Sequence, residues 1–578
     1  MTSRLERPKW RFWLPVIAAS LGACSVAGEP TPDIQTARDQ LAAGDPLAAQ
    51  ITLDRVMDEG TPRSELAALM GEAALANNDL VSARDWLGEG AFSPATQVHG
   101  LRMLAALEIR EGDTQAATDA LAAALEADPD DAALWVDIAR FRFMLGAQAP
   151  AIAAAERALE QGPDHGPALL LWGQILHDRE GEAIAADWLA RALEKRPADQ
   201  DIRLELAAMQ LDAGDGDAAI ATLDGVEGDY RDEARANLIR AVHATREGDL
   251  VAARDWLGRY MADARDTAAA LLLSAVLDMA GGKHDGAAQT LANLADAQPD
   301  NRTIQELLAY ALARAGSDEE LVERYGAIAE SPNGSPYLRI LVARSYETLD
   351  QREEAASLLD SDSATASPLS IMVPGENSSA SEFRGSIRSA LLAGRYELAV
   401  GYGERYVRRF PNSAGPRGFM GDALLMAGEK RAARASYAEA AAIRHDWPLV
   451  LRRIAAQDER EASRQLLRSF VAANPSEMQA AALLADAYAA VGNWRLAAQL
   501  LDRAIAGGMG RVPWVLAARS LAAGQLGDSE AQLQFAIAAH DLKPMSPQAT
   551  AALIAALPPD ALAERAELTA KLDSISGS

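Results

Sequence analysis

One cysteine in 578 residues, Cys24, excludes any disulfide within the chain and any cysteine-built metal cluster. Aromatic residues are also scarce, at 5% of the sequence, whereas alanine is abundant. That balance favours closely packed helices over sheets, because alanine is the best helix former and strands draw on aromatic and β-branched residues. Beyond the N-terminus there is no run of about twenty apolar residues, so the body of the chain offers no helical membrane span. Positive charge is outnumbered: 55 Lys and Arg face 83 Asp and Glu, for a net charge of −28. Such a surface repels nucleic-acid phosphates and anionic lipid headgroups, which excludes nucleic acid as an expected partner. The phosphate loop G-x-x-x-x-G-K, the nucleophile elbow G-x-S-x-G and the zinc helix H-E-x-x-H are all missing.

What little could bind metal is thin. The seven histidines are scattered along the chain. His177 and Glu180 have helical i, i+3 spacing, but two ligands do not make a site. Asp212, Asp215 and Asp217 surround Gly214 without the spacing of a calcium loop, and turn chemistry accounts for them. No metal, cofactor or catalytic residue is expected.

The first thirty residues read MTSRLERPKWRFWLPVIAASLGACSVAGEP. A basic stretch, an apolar stretch from Phe12 to Ala23 and then small residues predict a secretory signal, too short for a permanent span. Leu21-Gly22-Ala23-Cys24 resembles the lipobox of bacterial lipoproteins. The resemblance implies cleavage before Cys24 and acylation of its thiol, and two or more acyl chains give stable anchoring. Ser25, where the family's inner-membrane retention signal has Asp, implies the outer membrane, with the protein facing the periplasm.

The nonapeptide DLVSARDWL at 79–87 returns as DLVAARDWL at 249–257, 170 residues later, and 170 is five times 34. Gly44, Asn78, Gly112, Gly146, Gly214, Gly248, Gly282 and Gly316 share that 34-residue phase, with Gly181 one residue off it. Gly and Asn tolerate the left-handed conformation that ends a helix. Five residues after the phase position, in eight successive repeats, comes an alanine: Ala49, Ala83, Ala117, Ala151, Ala185, Ala219, Ala253 and Ala287. A small residue there predicts close approach of two helices. Pro129, Pro163, Pro197 and Pro299 share a third phase and stop the second helix. Trp86, Trp188 and Trp256 recur in phase on that second helix, which reads as packing rather than as a ligand platform.

Helix, tight turn, helix, turn at this period resembles the tetratricopeptide repeat (TPR). The residues that carry the likeness are Trp135, Ile138, Ala139, Gly146, Ala151, Ala158 and Pro163 in the unit 132–165. In the next unit they are Leu169, Trp172, Gly173, Ala185, Leu189, Ala192 and Pro197, and the unit 414–447 adds Met420, Gly421, Leu424, Gly428, Ala433, Tyr437 and Ala440. Leu321 departs from the small-residue rule. The resemblance implies an all-α, right-handed superhelical solenoid of about fifteen such units, because one repeat cannot bury its own apolar face.

The expected layout is a signal peptide at 1–23, a tether at 24–29, a repeat block at 30–360, a Ser/Pro/Gly-rich linker or loop at 361–383, a second block at 384–546 and capping helices at 547–578.

In the family the first helices line a concave groove that binds partner proteins. The matching positions here are Arg102, Arg110, Arg140, His177, Arg246, Tyr310, Arg314, Tyr337 and Arg344. Arginine forks there suit an acidic segment or an anionic glycan, although arginine is common in a chain with only six lysines. The Lys/Asn clamp of chaperone-binding TPRs is missing from these positions. Long TPR lipoproteins of this layout accompany exopolysaccharide export in Gram-negative bacteria. The expectation is therefore a non-enzymatic, lipid-anchored scaffold for partner proteins, and the alternative is direct glycan binding in the groove.

Overall fold

Six times among the described residues a left-handed residue is followed by an aspartate, and the pair turns one helix into the next. The pairs are Gly44–Asp45, Asn78–Asp79, Gly112–Asp113, Gly214–Asp215, Gly248–Asp249 and Gly527–Asp528, with φ between 58° and 86° at the first residue. Each aspartate accepts a hydrogen bond at 2.9–3.0 Å from the backbone N–H three residues on. The first residue closes one helix and the second caps the next, which keeps the connection to two or three residues. Asp215 is thus a helix cap, and Asp212 pairs with Arg246 at 3.0 Å.

The computed structural model describes residues 33–226, 230–263, 267–331, 335–359 and 378–576. The expected signal peptide, tether and Cys24 lie outside the described residues. The described residues form 32 α-helices and one 3-10 turn, from Ile34–Ala42 to Leu562–Ser576, with no strand among them. The architecture is the all-α helical-hairpin solenoid that the period predicts, each hairpin packing on its neighbours in the sequence. No helix among the described residues is long and apolar enough to cross a membrane.

Packing follows the second periodic signal. All eight in-phase alanines, from Ala49 to Ala287, have 0% exposure, and so has Leu321. In the duplicated nonapeptide, Ala83 and Ala253 face inward together with Leu87 and Leu257, whereas Val81 and Val251 remain 82% and 81% exposed. Glycine on the first helix permits the same closeness. A Cβ at Gly71 would lie 2.3 Å from Leu87, and one at Gly421 would lie 2.2 Å from the ring of Tyr437. Tyr437 is itself fully buried, and its hydroxyl donates to Asp422 at 2.9 Å.

Two expectations about boundaries need correction. The predicted linker extends to 383, but a helix already runs over Ala380–Leu392. Ser379 and Glu382 form a capping box: the Glu382 N–H donates to Ser379 Oγ at 3.3 Å, and the Ser379 N–H donates to the Glu382 carboxylate at 2.6 Å. The chain also does not divide there. Among the described residues, 33–175 form one compact unit and those from Leu176 form another, so the division falls within the helix Gly166–Arg179. At the far end, Leu562–Ser576 buries Leu568, and Arg565 donates to the carbonyls of Ile554, Leu557 and Pro558 at the end of the preceding helix.

Two glycines on one helix give a paired test. Gly421→Ala should destabilise the fold by about 1–3 kcal/mol, because the added methyl meets a buried ring. Gly418→Ala, with nothing within 4 Å, should be neutral or stabilise by up to about 1 kcal/mol. Urea denaturation followed by far-UV circular dichroism reads both, and equal midpoints would rule out close packing at Gly421.

Candidate functional site

The first-helix positions split into those engaged within the chain and those left to solvent. In the unit through Ile175, Arg102 Nε donates to Asp137 Oδ2 at 2.6 Å and its side chain is 18% exposed. Arg110 reaches back one repeat and donates to the carbonyl of Leu75 at 2.6 Å, in the last turn of Arg63–Ala76. Such carbonyls have no partner inside their own helix, so the guanidinium acts as a C-terminal cap between repeats. Arg140 is half-buried and makes no hydrogen bond or ion pair with the described residues.

The same device returns in the unit from Leu176. Arg246, 136 residues after Arg110, donates to the Leu211 carbonyl and pairs with Asp212. Arg314 is exposed and has no polar partner among the described residues. Arg344 pairs with Glu347 on its own helix at 2.6 Å, an exposed contact of small energetic weight. His177 Nδ1 lies 3.9 Å from Asp178 Oδ1. Among the described residues no three metal-ligating side chains gather in one place. The recurrent tryptophans are half-buried and covered by arginine: Arg63 lies 4.0 Å from the Trp86 ring centroid, Arg191 5.6 Å from Trp188, and Arg259 and Arg240 4.5 and 5.1 Å from Trp256.

Tyr310 and Tyr337, one repeat apart, are brought together on a residue that the sequence did not single out. Arg511, at the end of the 3-10 turn Met509–Arg511, donates to the Tyr310 hydroxyl at 2.9 Å. Its guanidinium carbon lies 4.6 Å from the Tyr310 ring centroid. Burial pushes the Tyr337 phenol up, and the charge of Arg511 opposes that shift. At these two of the expected groove positions, a later part of the chain lies on the first-helix surface.

A second long-range contact lies within the same unit. Gly181, one residue off the 34-residue phase, has φ 115° and ψ 175°, a conformation essentially confined to glycine. A Cβ on it would lie 2.5 Å from the carbonyl oxygen of Ala473. Next to it Glu182, 4% exposed, accepts hydrogen bonds from the N–H (3.2 Å) and hydroxyl of Ser476. The His445 N–H donates to the Asp178 carbonyl at 3.1 Å. Burial pushes the His445 imidazole down to about 4, and the neighbouring Arg453 adds to the shift. Arg453 Nη1 lies 2.7 Å from Nε2, an arrangement that suits a neutral ring accepting from the guanidinium. The off-phase Gly181 was the only trace of this contact in the sequence.

Comparison with known proteins agrees with the repeat. The sequence model described as "Tetratricopeptide repeat" matches residues 108–175, 204–270 and 272–332, and these stretches carry that repeat. "Cellulose synthase operon protein C" of Xanthomonas axonopodis pv. citri (strain 306) is 29% identical over 312 residues, covering 50% of this chain and 20% of that protein. The chain thus matches about a fifth of the length of this curated relative. A tetratricopeptide repeat protein of Parabacteroides merdae aligns at 19% identity over 43% of this chain and 99% of its own, with a TM-score of 0.34. PilF of Pseudomonas aeruginosa aligns at 20% identity over 38% and 99%, with a TM-score of 0.32.

The histidine carries a pH prediction. An unfolded chain binds a proton at His445 near pH 6.5, whereas the folded chain resists until about pH 4. Folding stability therefore falls as pH drops through that window, by roughly 1 kcal/mol between pH 7 and 5 for this half-buried ring. His445→Gln, which keeps an acceptor for Arg453 but cannot titrate, should flatten that part of the profile. Urea midpoints at both pH values for the two proteins supply the comparison, and identical slopes would refute the assignment.

Proposed function

We propose that the chain is a non-enzymatic scaffold that gathers partner proteins on the first-helix faces of its repeats, tied to the cell envelope through lipid on Cys24. The observation that carries the reading is the division of labour within each repeat. The second helix buries its in-phase alanine completely, and the tryptophans on it are covered by arginines of the same chain. On the first-helix surface, Arg140 and Arg314 are unengaged among the described residues. Repeats of this type bind other proteins as a rule, and specificity rests in a few such side chains.

Location and pathway belong to the same proposal. The Leu21–Cys24 lipobox pattern followed by Ser25 supports an outer-membrane lipoprotein that faces the periplasm. The likeness to a cellulose synthase operon protein, over half of this chain, supports a part in the export or assembly of a surface polysaccharide.

The glycan reading keeps one specific support, the same two unengaged arginines, because guanidinium forks pair with carboxylates of uronic acids. Arg102, Arg110 and Arg246 no longer contribute to it, since they bond within the chain.

Three measurements separate these readings. Cys24→Ala should move the protein from the detergent phase to the aqueous phase in Triton X-114 partitioning. Crosslinking and affinity purification from membranes should recover envelope proteins with the parent chain, and fewer with Arg140→Ala/Arg314→Ala. Calorimetric titration with uronic-acid oligosaccharides should give no heat of binding. A titratable glycan signal lost in the double variant would favour the second reading, and normal polymer export in a deletion strain would remove the pathway assignment.

A further inference from the structure

Arg511 shows what the Tyr310–Tyr337 surface accepts. Tyr310 lies on the first helix Arg302–Ala315, and Tyr337 lies one repeat later at the start of Pro336–Thr348. Glu306 lies one helical turn before Tyr310, and its negative charge acts on the Tyr337 phenol. Two phenols face one guanidinium: the Tyr310 hydroxyl accepts its N–H at 2.9 Å, the Tyr310 ring centroid lies 4.6 Å from its carbon, and its charge acts on the Tyr337 phenol. Tyrosine hydroxyl and ring face together favour an arginine over a lysine, because the planar fork can both stack and donate.

The segment that delivers Arg511 looks like a ligand. It reads Gly507-Gly508-Met509-Gly510-Arg511, and Gly508 has φ 108°. Three glycines and one unbranched residue present the arginine with little bulk beside it. Nothing in this presentation requires that the arginine belong to the same chain.

We propose that Tyr310 and Tyr337 form a receptor for an arginine carried by a segment of a partner protein, and that Arg511 is its internal competitor. The inference rests on the reading of the first-helix faces as partner-binding surfaces and names one of them. The chain's net charge of −28 favours approach of basic segments. A tethered ligand competes with an effective concentration of order millimolar, so the internal arginine sets a threshold that a partner must exceed. The contact of Gly181 and Glu182 with 473–476 lies in the same compact unit as Tyr310 and Arg511.

The test uses the full chain and a fluorescein-labelled peptide with the sequence of residues 505–513, IAGGMGRVP, read by anisotropy. Arg511→Ala in the chain should bind the peptide about tenfold more tightly than the parent, whose site is filled. A peptide with Ala in place of Arg should bind neither. Adding Tyr310→Phe to the Arg511→Ala chain should weaken binding severalfold, since the hydroxyl acceptor is gone. Arg511→Lys keeps the charge and gives the same ordering with a smaller gap, which preserves the test should Arg511→Ala lose helicity. Equal binding to parent and Arg511→Ala, or no binding to Arg511→Ala, overturns the proposal. Either result leaves the recovery of partners from membranes unchanged, because a scaffold can bind through other repeats.

Discussion

Close approach of two helices over an alanine is the constraint on which the rest depends. Eight such contacts at 0% exposure set how near the helices of a hairpin lie. The helices of these hairpins are joined by turns of two or three residues, and so short a turn is served by a left-handed residue followed by a cap. Gly or Asn followed by Asp meets both needs, which is why the two kinds of residue keep the same phase. Glycine on the first helix extends the same logic, since Gly71 and Gly421 give way to Leu87 and Tyr437. Few atoms of each hairpin are then shielded by the hairpin alone, and the apolar remainder has to be covered by the next hairpin.

Stacking creates a second requirement, which arginine meets. Each first helix ends in carbonyls without intrahelical partners, and the neighbouring repeat lies within reach of them. Arg110 and Arg246 donate to Leu75 and Leu211, each 35 residues back. In the second helices, Arg84 pairs with Glu108, and Arg254, its equivalent in the duplicated nonapeptide, donates to the Leu277 carbonyl. Arginine serves here as a staple between repeats, where its planar fork fits a helix end better than an ammonium would. Its dominance over lysine in this chain thus has a structural cause before any functional one.

That is also where legibility in the sequence ended. Period, turn residues and buried alanines could be read because backbone geometry admits few residue types at those positions. The Ser379–Glu382 capping box was legible in principle as S-x-x-E but lay in a stretch whose composition reads as linker. The role of an arginine was not legible, since Arg110 and Arg314 occupy equivalent repeat positions while one caps a helix and the other faces solvent. Nor could any local pattern join Tyr310 to Arg511, because their contact depends on how many repeats separate them and on the turn geometry of each.

Gly181 shows how a repetitive chain escapes its own regularity. Identical units would stack without ever meeting a distant repeat in a specific way. Moving the turn glycine by one residue gives a backbone conformation that no side chain tolerates, against the carbonyl of Ala473. The adjoining carboxylate of Glu182 is then almost wholly buried, which is costly unless donors meet it. Ser476 supplies two, one from its backbone and one from its side chain. An incidental contact would leave that carboxylate in water. A buried, doubly satisfied carboxylate beside a glycine-only turn is a built contact, and it lies near the start of the compact unit that begins at Leu176. This departure from the period is therefore a position at which the chain exchanges repetition for a defined tertiary contact.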